Sequence, residues 1–474
     1  MEGTFISIFS QLLQEHFQEK KVKIYQIAQL SNIERTLLQK ILTGSRKPSS
    51  EEQVTRLAQA LMLTASETKE LKNAYQILHM GEENWSRRSA VRKLFQSFHI
   101  NDSPFEMGFT PDVSFTFQEE TNVIYGAINV KRALYSVLRQ ESCNTQGEIS
   151  IVSQPDFSFL INSLNIINFT HLPITHFISF GSRSEDSTSN LNLLERIIPT
   201  LLTCKGYIPF GYYENTPSLF GPNAFLPNIL LTTRYSIQIS SDYDYAVIST
   251  NRDFMKLLSN FIKQKRVSAF PIFEKQTAFE VYLDSLFVQP LHEQRFIMMD
   301  KPYLIPFLTS QMCENYLHRH ELGEERMEAI KKHILRLQQT ETLHSIFSVD
   351  GLQQFFSTGR FTEMPKLYYS TLHQQDAHFL LNEALTMQEQ GHYRMHIIKQ
   401  PHLSFPPNLT IRAFSSLQVS FIINHPKVGF LALNLQDPSF SFAIYDFLQY
   451  MMEENLSHSP EESASMVRSF LNRQ

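Results

Sequence analysis

Lys23-Ile-Tyr-Gln-Ile-Ala-Gln-Leu-Ser-Asn-Ile-Glu-Arg-Thr-Leu-Leu-Gln-Lys-Ile-Leu-Thr-Gly-Ser-Arg-Lys-Pro48 reads as two short helices, a tight turn between them and a basic loop after them. Ile24, Ile27 and Ala28 fall on one face of the first helix; Leu37, Leu38 and Ile41 fall on one face of the second. Ser31-Asn32-Ile33 places Asn, which tolerates a left-handed backbone, at the turn. Gly44 ends the second helix, and Ser45-Arg46-Lys47-Pro48 leads away from it.

Neighbouring segments complete a five-helix bundle over residues 1–80. Ser7 to Gln18 carries Ile8, Phe9, Leu12, Leu13 and Phe17 at helical spacing. Ser49-Ser50-Glu51-Glu52 is a capped start ahead of Val54, Leu57, Ala58 and Leu61. Thr64-Ala65-Ser66-Glu67 is a second, ahead of Leu71, Ala74, Tyr75 and Leu78. Charge is concentrated here as well. From Lys20 to Lys47 the bases are Lys20, Lys21, Lys23, Arg35, Lys40, Arg46 and Lys47, against Glu34 alone, a local +6 in a chain whose formal net charge is −5. A helix-turn-helix order with such a patch points to the phosphate backbone of double-stranded DNA.

Composition bounds the rest. A chain of 474 residues exceeds one ordinary core, so more than one domain is expected. The 42% hydrophobic and 19% charged content is that of a globular protein. With 38 Phe and 15 Gly, large aromatic cores are expected and glycine-rich phosphate loops are not. Cys143, Cys204 and Cys313 are too few and too scattered for a disulfide framework, which fits a reducing compartment. No signal peptide and no membrane-length apolar run is visible, so the expected location is cytoplasmic.

Residues Ile27-Ala28, Ile33, Ile41, Gly44 to Pro48, and Leu57 to Leu61 carry a resemblance to the lambda-repressor-like (Cro/cI, Xre) helix-turn-helix domain of transcriptional regulators. The resemblance covers about residues 1–75, and its motif is moderately specific. One departure stands out: Ile24 occupies the position where the family usually has a Gln that helps fix the backbone. The resemblance implies that the N-terminal half of the second reader helix enters the major groove. Base contacts would then fall to Arg35, Thr36, Gln39 and Lys40, with Arg35 suited to guanine and Gln39 to adenine. Lys23, Tyr25, Ser45, Arg46 and Lys47 would position phosphates.

Met80 to Phe98 forms a further amphipathic helix with Val91, Leu94, Phe95 and Phe98 on one side, and Asn101 to Pro111 reads as a loop; together residues 81–118 form a connecting segment. From residue 119 onward strands alternate with helices, which argues for an α/β (or α+β) region over 119–474. Within it lies an internal echo. The hairpin Tyr235 to Ser249 with helix Phe254 to Ile262 is matched, about 185 residues later, by the hairpin Val419 to Asn434 with helix Phe442 to Met451. Two related halves would leave a cleft for a small ligand. The arrangement is distantly similar to the phospholipase-D-like effector region of TrmB-type sugar-responsive regulators.

No catalytic set emerges. Phospholipase D chemistry needs H-x-K-x4-D; His425-Pro426-Lys427 is the one H-x-K, and Ala432 stands where its acid would be. Cys313, His318, His320 and Glu321 are spaced as a weak metal candidate, and Phe180-Gly181-Ser182-Arg183-Ser184 as a weak anion loop. His171, His176, His373, His378, His392 and His396 are scattered. Tyr207 to Tyr213 suits core packing better than a pocket wall. The expectation is a DNA-binding regulator rather than an enzyme, without metal or cofactor and without a membrane partner. It would act as a homodimer, with a small-molecule or protein effector at the α/β region. The alternative is a signalling adaptor whose helical bundle docks a protein partner.

Overall fold

The computed structural model describes residues 7–100, 117, 119–156, 158–167, 172–183, 186–214, 224–288, 294–340, 342–399, 405–453 and 456–473. The expected loop at Asn101 to Pro111 and His171 lie outside them. Eighteen α-helices and two mixed sheets are present among the described residues, and the chain divides into two compact units, Met1–Ser89 and Ala90–Gln474. This is a multidomain α/β protein.

The first unit is helical: α1 (Ile8–Glu19), α2 (Ile24–Ser31), α3 (Arg35–Leu42), α4 (Glu51–Ala60) and α5 (Ala65–Met80). Each begins where its sequence provides a cap or a turn. The Ser50 hydroxyl accepts the Gln53 N–H at the start of α4. Thr64 and Glu67 cap α5 reciprocally, the Thr64 hydroxyl accepting the Glu67 N–H and the Glu67 carboxylate accepting the Thr64 N–H at 2.6 Å. Periodic apolar positions meet in one core: Phe9 and Leu13 of α1, Ile27 of α2, Leu38 and Ile41 of α3, and Val54 and Leu57 of α4 are almost wholly buried. Leu37 and Ile24, expected on the core faces, pack at its margin and stay partly exposed.

Helix α6 (Glu82–Gln96) contains the division between the units. Its second half therefore belongs to the α/β unit instead of to a connecting segment ending at residue 118. The reason is apolar packing: the Phe95 ring meets Phe405 and Phe447 edge-on, and Phe98 stacks on Phe421.

The second unit contains β1 (Thr121–Tyr125), α7 (Ala127–Ser142), β2 (Ile149–Val152), α8 (Ser158–Ile166), β3 (Ile174–Gly181), α9 (Ser187–Thr203), β4 (Tyr207–Glu214), β5 (Asn228–Leu231), β6 (Ser236–Ile239), β7 (Tyr245–Ser249), α10 (Arg252–Ser268) and β8 (Phe270–Pro271). It continues with β9 (Phe273–Gln276), α11 (Phe279–Val288), β10 (Gln294–Met299), α12 (Ser310–Tyr316), α13 (Arg319–Leu322), α14 (Glu324–Thr340), β11 (Thr342–Phe347), α15 (Val349–Thr358), α16 (Gln374–Glu389) and β12 (Tyr393–Ile397). Last come β13 (Leu409–Ser415), β14 (Gln418–His425), β15 (Gly429–Leu435), α17 (Pro438–Glu453) and α18 (Pro460–Leu471).

The two sheets repeat one topology. The first runs β1-β7-β6-β5-β2-β3-β4-β8; the second, read from its β9 edge, runs β9-β15-β14-β13-β10-β11-β12. Strand for strand the pairings agree, with β2-β3-β4 and β10-β11-β12 parallel and the remainder antiparallel. Even the antiparallel pairing of β8 on β4 has a counterpart, the isolated bridge of Ser457 to Ile398 just beyond β12. The expected hairpin-helix echo is thus the β6-β7-α10 and β14-β15-α17 portion of two whole repeats. β3, flanked by parallel strands on both sides, is a continuous buried run from Ile174 to Phe180, as such a position requires.

The repeats are joined by one extended segment. Phe270–Pro271 pairs with β4, Ile272 is fully buried, and Phe273–Gln276 pairs with β15. The Ile272 N–H donates to the Pro209 carbonyl and its own carbonyl accepts the Gln436 N–H, each at 3.0 Å. Nearby the Tyr213 hydroxyl donates to Asp437 at 2.6 Å and Phe180 meets Phe440 edge-on, so the halves share a packed seam.

Candidate nucleic-acid interface

Asn32 closes α2 in the left-handed conformation, φ 52° and ψ 47°, and its N–H together with that of Ile33 meets the last carbonyls of that helix. Glu34 then stands at the N-cap of α3, and Gly44, at φ 76°, follows the C-cap Thr43. Both positive-φ positions are ones where a β-carbon is costly, and Asn and Gly are the residues that tolerate them.

The reader helix α3 is fixed from behind by α1. The buried Ser10 hydroxyl donates to the Ile41 carbonyl at 2.8 Å, and the Gln14 side-chain amide donates to the Leu42 carbonyl at 2.6 Å. Those carbonyls belong to the last turn of α3, where i+4 donors run out; the Ile41 carbonyl also accepts the Gly44 N–H at 3.2 Å. Neither residue stands out in the sequence, since both are polar positions on a helix whose apolar stripe carries the periodic signal.

All four expected base-contact residues, Arg35, Thr36, Gln39 and Lys40, are exposed, while Leu38, Ile41 and Leu42 between them are buried. All five expected phosphate-contact residues, Lys23, Tyr25, Ser45, Arg46 and Lys47, are exposed too. The loop after α3 folds back on its helix. The Lys40 carbonyl accepts the Arg46 N–H at 3.1 Å and the hydroxyls of Thr43 and Ser45 at 3.2 and 3.1 Å. The Gln26 side chain accepts the Lys23 N–H at 3.3 Å at the start of α2.

Three of these side chains carry internal contacts that spacing alone did not suggest. The Lys47 ammonium donates to the Leu78 carbonyl at 2.7 Å, which holds the loop against the end of α5. The Thr36 hydroxyl donates to the Glu34 carboxylate, and the Ser45 hydroxyl to Lys40 as above. Within the basic patch Lys20 lies 3.4 Å from Glu67. Lys21, Lys23, Arg35, Lys40 and Arg46 remain as exposed cations outside any ion pair among the described residues.

The weaker chemical candidates are occupied by structure. Both ring nitrogens of His318 are used, toward the Leu367 carbonyl at 2.7 Å and the Ser370 hydroxyl at 2.9 Å, and burial pushes the Cys313 thiol up to about 11. The Cys313, His318, His320 and Glu321 spacing therefore assembles no ligand set among the described residues. Gly181 exchanges both backbone bonds with the Asn190 side-chain amide, and the Arg183 N–H donates to Asp186, so those backbone donors of the expected anion loop are taken; its Ser184 lies outside the described residues. His425 and Lys427 lie at the β14–β15 turn, and Ala432 is fully buried in β15. Tyr207 to Tyr213 forms most of β4, with Tyr207 and Tyr212 buried. One group could hold a cation by proximity: His16, Glu19 and Glu67 have ligand atoms within 4.8 Å of one another, although Glu67 already serves Thr64 and Lys20.

No protein-family model and no curated protein matches the chain. Among solved structures, phosphatidylserine synthase from Haemophilus influenzae Rd KW20 aligns over 82% of this chain and 97% of its own at 11% identity, with a TM-score of 0.26. Polyphosphate kinase from Porphyromonas gingivalis aligns over 74% and 55% at 9% identity, TM-score 0.24. TrmBL2, an archaeal chromatin protein, aligns over 56% and 98% at 11% identity, TM-score 0.22. Likenesses at this level carry no conclusion about activity. No helix among the described residues is long and apolar enough to cross a membrane.

Proposed function

We propose that the chain is a sequence-specific DNA-binding regulator: residues 1–80 form a lambda-repressor-like reader, and the duplicated α/β unit senses an effector and pairs two copies. The observation that carries this reading is the presentation of α3. Arg35, Thr36, Gln39 and Lys40 face solvent together, on a helix whose opposite side is locked into the core and whose last carbonyls are held by Ser10 and Gln14. A rigid helix with guanidinium, amide and ammonium groups on one face has the donors and acceptors that base edges in a major groove require. The exposed cations Lys21, Lys23 and Arg46 around it add a backbone term that falls with salt.

A second reading has one observation in its favour. Leu30 is 67% and Tyr25 53% exposed, both on α2. Exposed apolar side chains there suit a protein partner, as in an adaptor. Selection of duplexes from a random pool by the full chain separates the two. The DNA reading expects enrichment of a short shared motif; recovery without any motif, together with binding that ignores salt, rejects it.

A further inference from the structure

Where α1 meets α5, the side chains of His16, Glu19 and Glu67 bring three metal-binding atoms within 4.8 Å of one another, the one such group among the described residues. Two local features of the sequence build it. His16 and Glu19 are three residues apart on α1, which puts both on one face of the helix. Glu67 is the third residue of α5, fixed there by its reciprocal cap with Thr64. The edge-on packing of Phe9 on Tyr75 joins the two helices.

His16 is the observation that points to a ligand. It is 5% exposed, and neither of its ring nitrogens has a hydrogen-bond partner. A buried imidazole left so is costly, because both nitrogens have given up water without replacement. Its Nδ1 faces the Glu19 carboxylate at 3.7 Å, too far for a hydrogen bond. That gap suits a bridging ion instead: metal bonds of about 2.0–2.2 Å at tetrahedral angles set two ligand atoms roughly 3.4 Å apart. The Glu19 side chain is 67% exposed and free to close the remainder.

Glu67 has one oxygen to give. Its Oε2 accepts the Thr64 N–H at 2.6 Å, while its Oε1 faces the Lys20 ammonium at 3.4 Å. That ion pair is long and partly exposed, which makes it a weak competitor for a doubly charged ion. Two carboxylates then balance the charge of a divalent cation, and the imidazole supplies the nitrogen.

We infer that His16 Nδ1, the Glu19 carboxylate and Glu67 Oε1 form a binding site for a divalent transition-metal ion, Zn²⁺ being the expected one, which ties the end of α1 to the start of α5. The imidazole selects such ions over Mg²⁺ and Ca²⁺, which prefer shells of oxygen. Three protein ligands leave a fourth position for water. Binding displaces Lys20 from Glu67. The assignment does not rest on the DNA reading and is tested without DNA.

The test is calorimetric titration of the full chain, freed of metal with EDTA and dialysed, with Zn²⁺ and separately with Mg²⁺. One saturable Zn²⁺ per chain is expected, with Mg²⁺ silent, and the melting temperature should rise with Zn²⁺. Glu19→Gln and Glu67→Gln each remove a ligand charge at constant size, and Gln at position 67 preserves the cap of α5. Each should weaken Zn²⁺ binding about tenfold or more, the least that disturbing a metal's surroundings costs. Lys20→Met removes the competing ammonium and should tighten binding severalfold, a response that histidines elsewhere on the surface would not give. His16 is left unchanged, since truncating a buried ring tests packing as well as ligation. The assignment is overturned by a wild type that shows no saturable Zn²⁺ binding. It is equally overturned if Glu19→Gln and Glu67→Gln proteins, melting as wild type does without metal, bind Zn²⁺ undiminished, which would place the ion on other histidines of the chain.

Discussion

The Ser10 hydroxyl donates to the carbonyl of Ile41 at 2.8 Å, buried, across 31 residues of chain. This bond joins the scaffold helix α1 to the last turn of the reader helix α3. Removing it costs about 0.5–1.5 kcal/mol, the net worth of one such bond, because the Ile41 carbonyl still accepts the Gly44 N–H at 3.2 Å. Ser10→Ala should therefore lower the stability of the first unit by that order and speed amide exchange in α3, measured by hydrogen exchange of the full chain. Unchanged exchange in α3 would mean that the helix is held by its apolar face alone.

Asn32 offers a backbone test. Its φ of 52° is tolerated by Asn and Gly but strains a β-branched side chain. Asn32→Gly should be near neutral, whereas Asn32→Val should destabilise the α2–α3 turn by roughly 1–2 kcal/mol. Chemical denaturation followed by a probe in the first unit checks the order of the three proteins.

Glu34 is the one acid in the Lys20–Lys47 stretch, and it engages the Thr36 hydroxyl at the head of α3. Near a phosphate backbone it repels. Glu34→Gln should tighten duplex binding severalfold at low salt and less at high salt. Weaker binding would mean that Glu34 holds Thr36 in the orientation the DNA requires.

Acid should unfold the second unit early. His344 and His396 lie side by side, Nδ1 to Nε2 at 3.1 Å, and burial, joined for His396 by its neighbour's charge, holds them down at about 4 and about 3. His176, bonded to the Tyr207 hydroxyl and the Ser153 carbonyl, is held at about 4 by burial. An unfolded imidazole titrates near 6.5, so below that pH the unfolded chain takes up protons that the folded one refuses. The stability these residues contribute is whole above about pH 6.5 and is lost as pH falls toward 4. A melting temperature that drops steeply over that window is expected, with a shallower drop in His396→Gln.

How much of this was legible in the sequence follows range. The α2–α3 pair could be read because its signals are local: apolar spacing, Asn32 at the turn and Gly44 at the end. The caps at Ser50 and Thr64 were legible for the same reason. The internal duplication showed only as two hairpin-helix units, since a hairpin is a local pairing of neighbours. The parallel order β2-β3-β4 and its copy β10-β11-β12 depend on crossovers tens of residues long, which leave no spacing to read. Contacts such as Lys47 to the Leu78 carbonyl, and Tyr213 to Asp437, join residues whose sequences give no sign of each other. Arg412 lies within an otherwise ordinary strand, Leu409–Ser415, and only the assembled sheet buries it.

The most direct measurement is equilibrium binding of the full chain to its selected duplex as salt is varied, in wild type, Arg35→Ala, Gln39→Ala and Arg46→Ala. With about four phosphates neutralised by each of the two readers, a plot of log affinity against log salt should fall with a slope near −7, because each contact contributes roughly −0.9. Arg35→Ala and Gln39→Ala should each cost about 1–3 kcal/mol on that duplex and little on unrelated DNA. Arg46→Ala should weaken both equally and reduce the slope by about two, one contact being lost from each reader. A flat salt dependence, or Arg35→Ala and Gln39→Ala proteins that bind the selected duplex as wild type does, would contradict the assignment of α3 as a DNA reader.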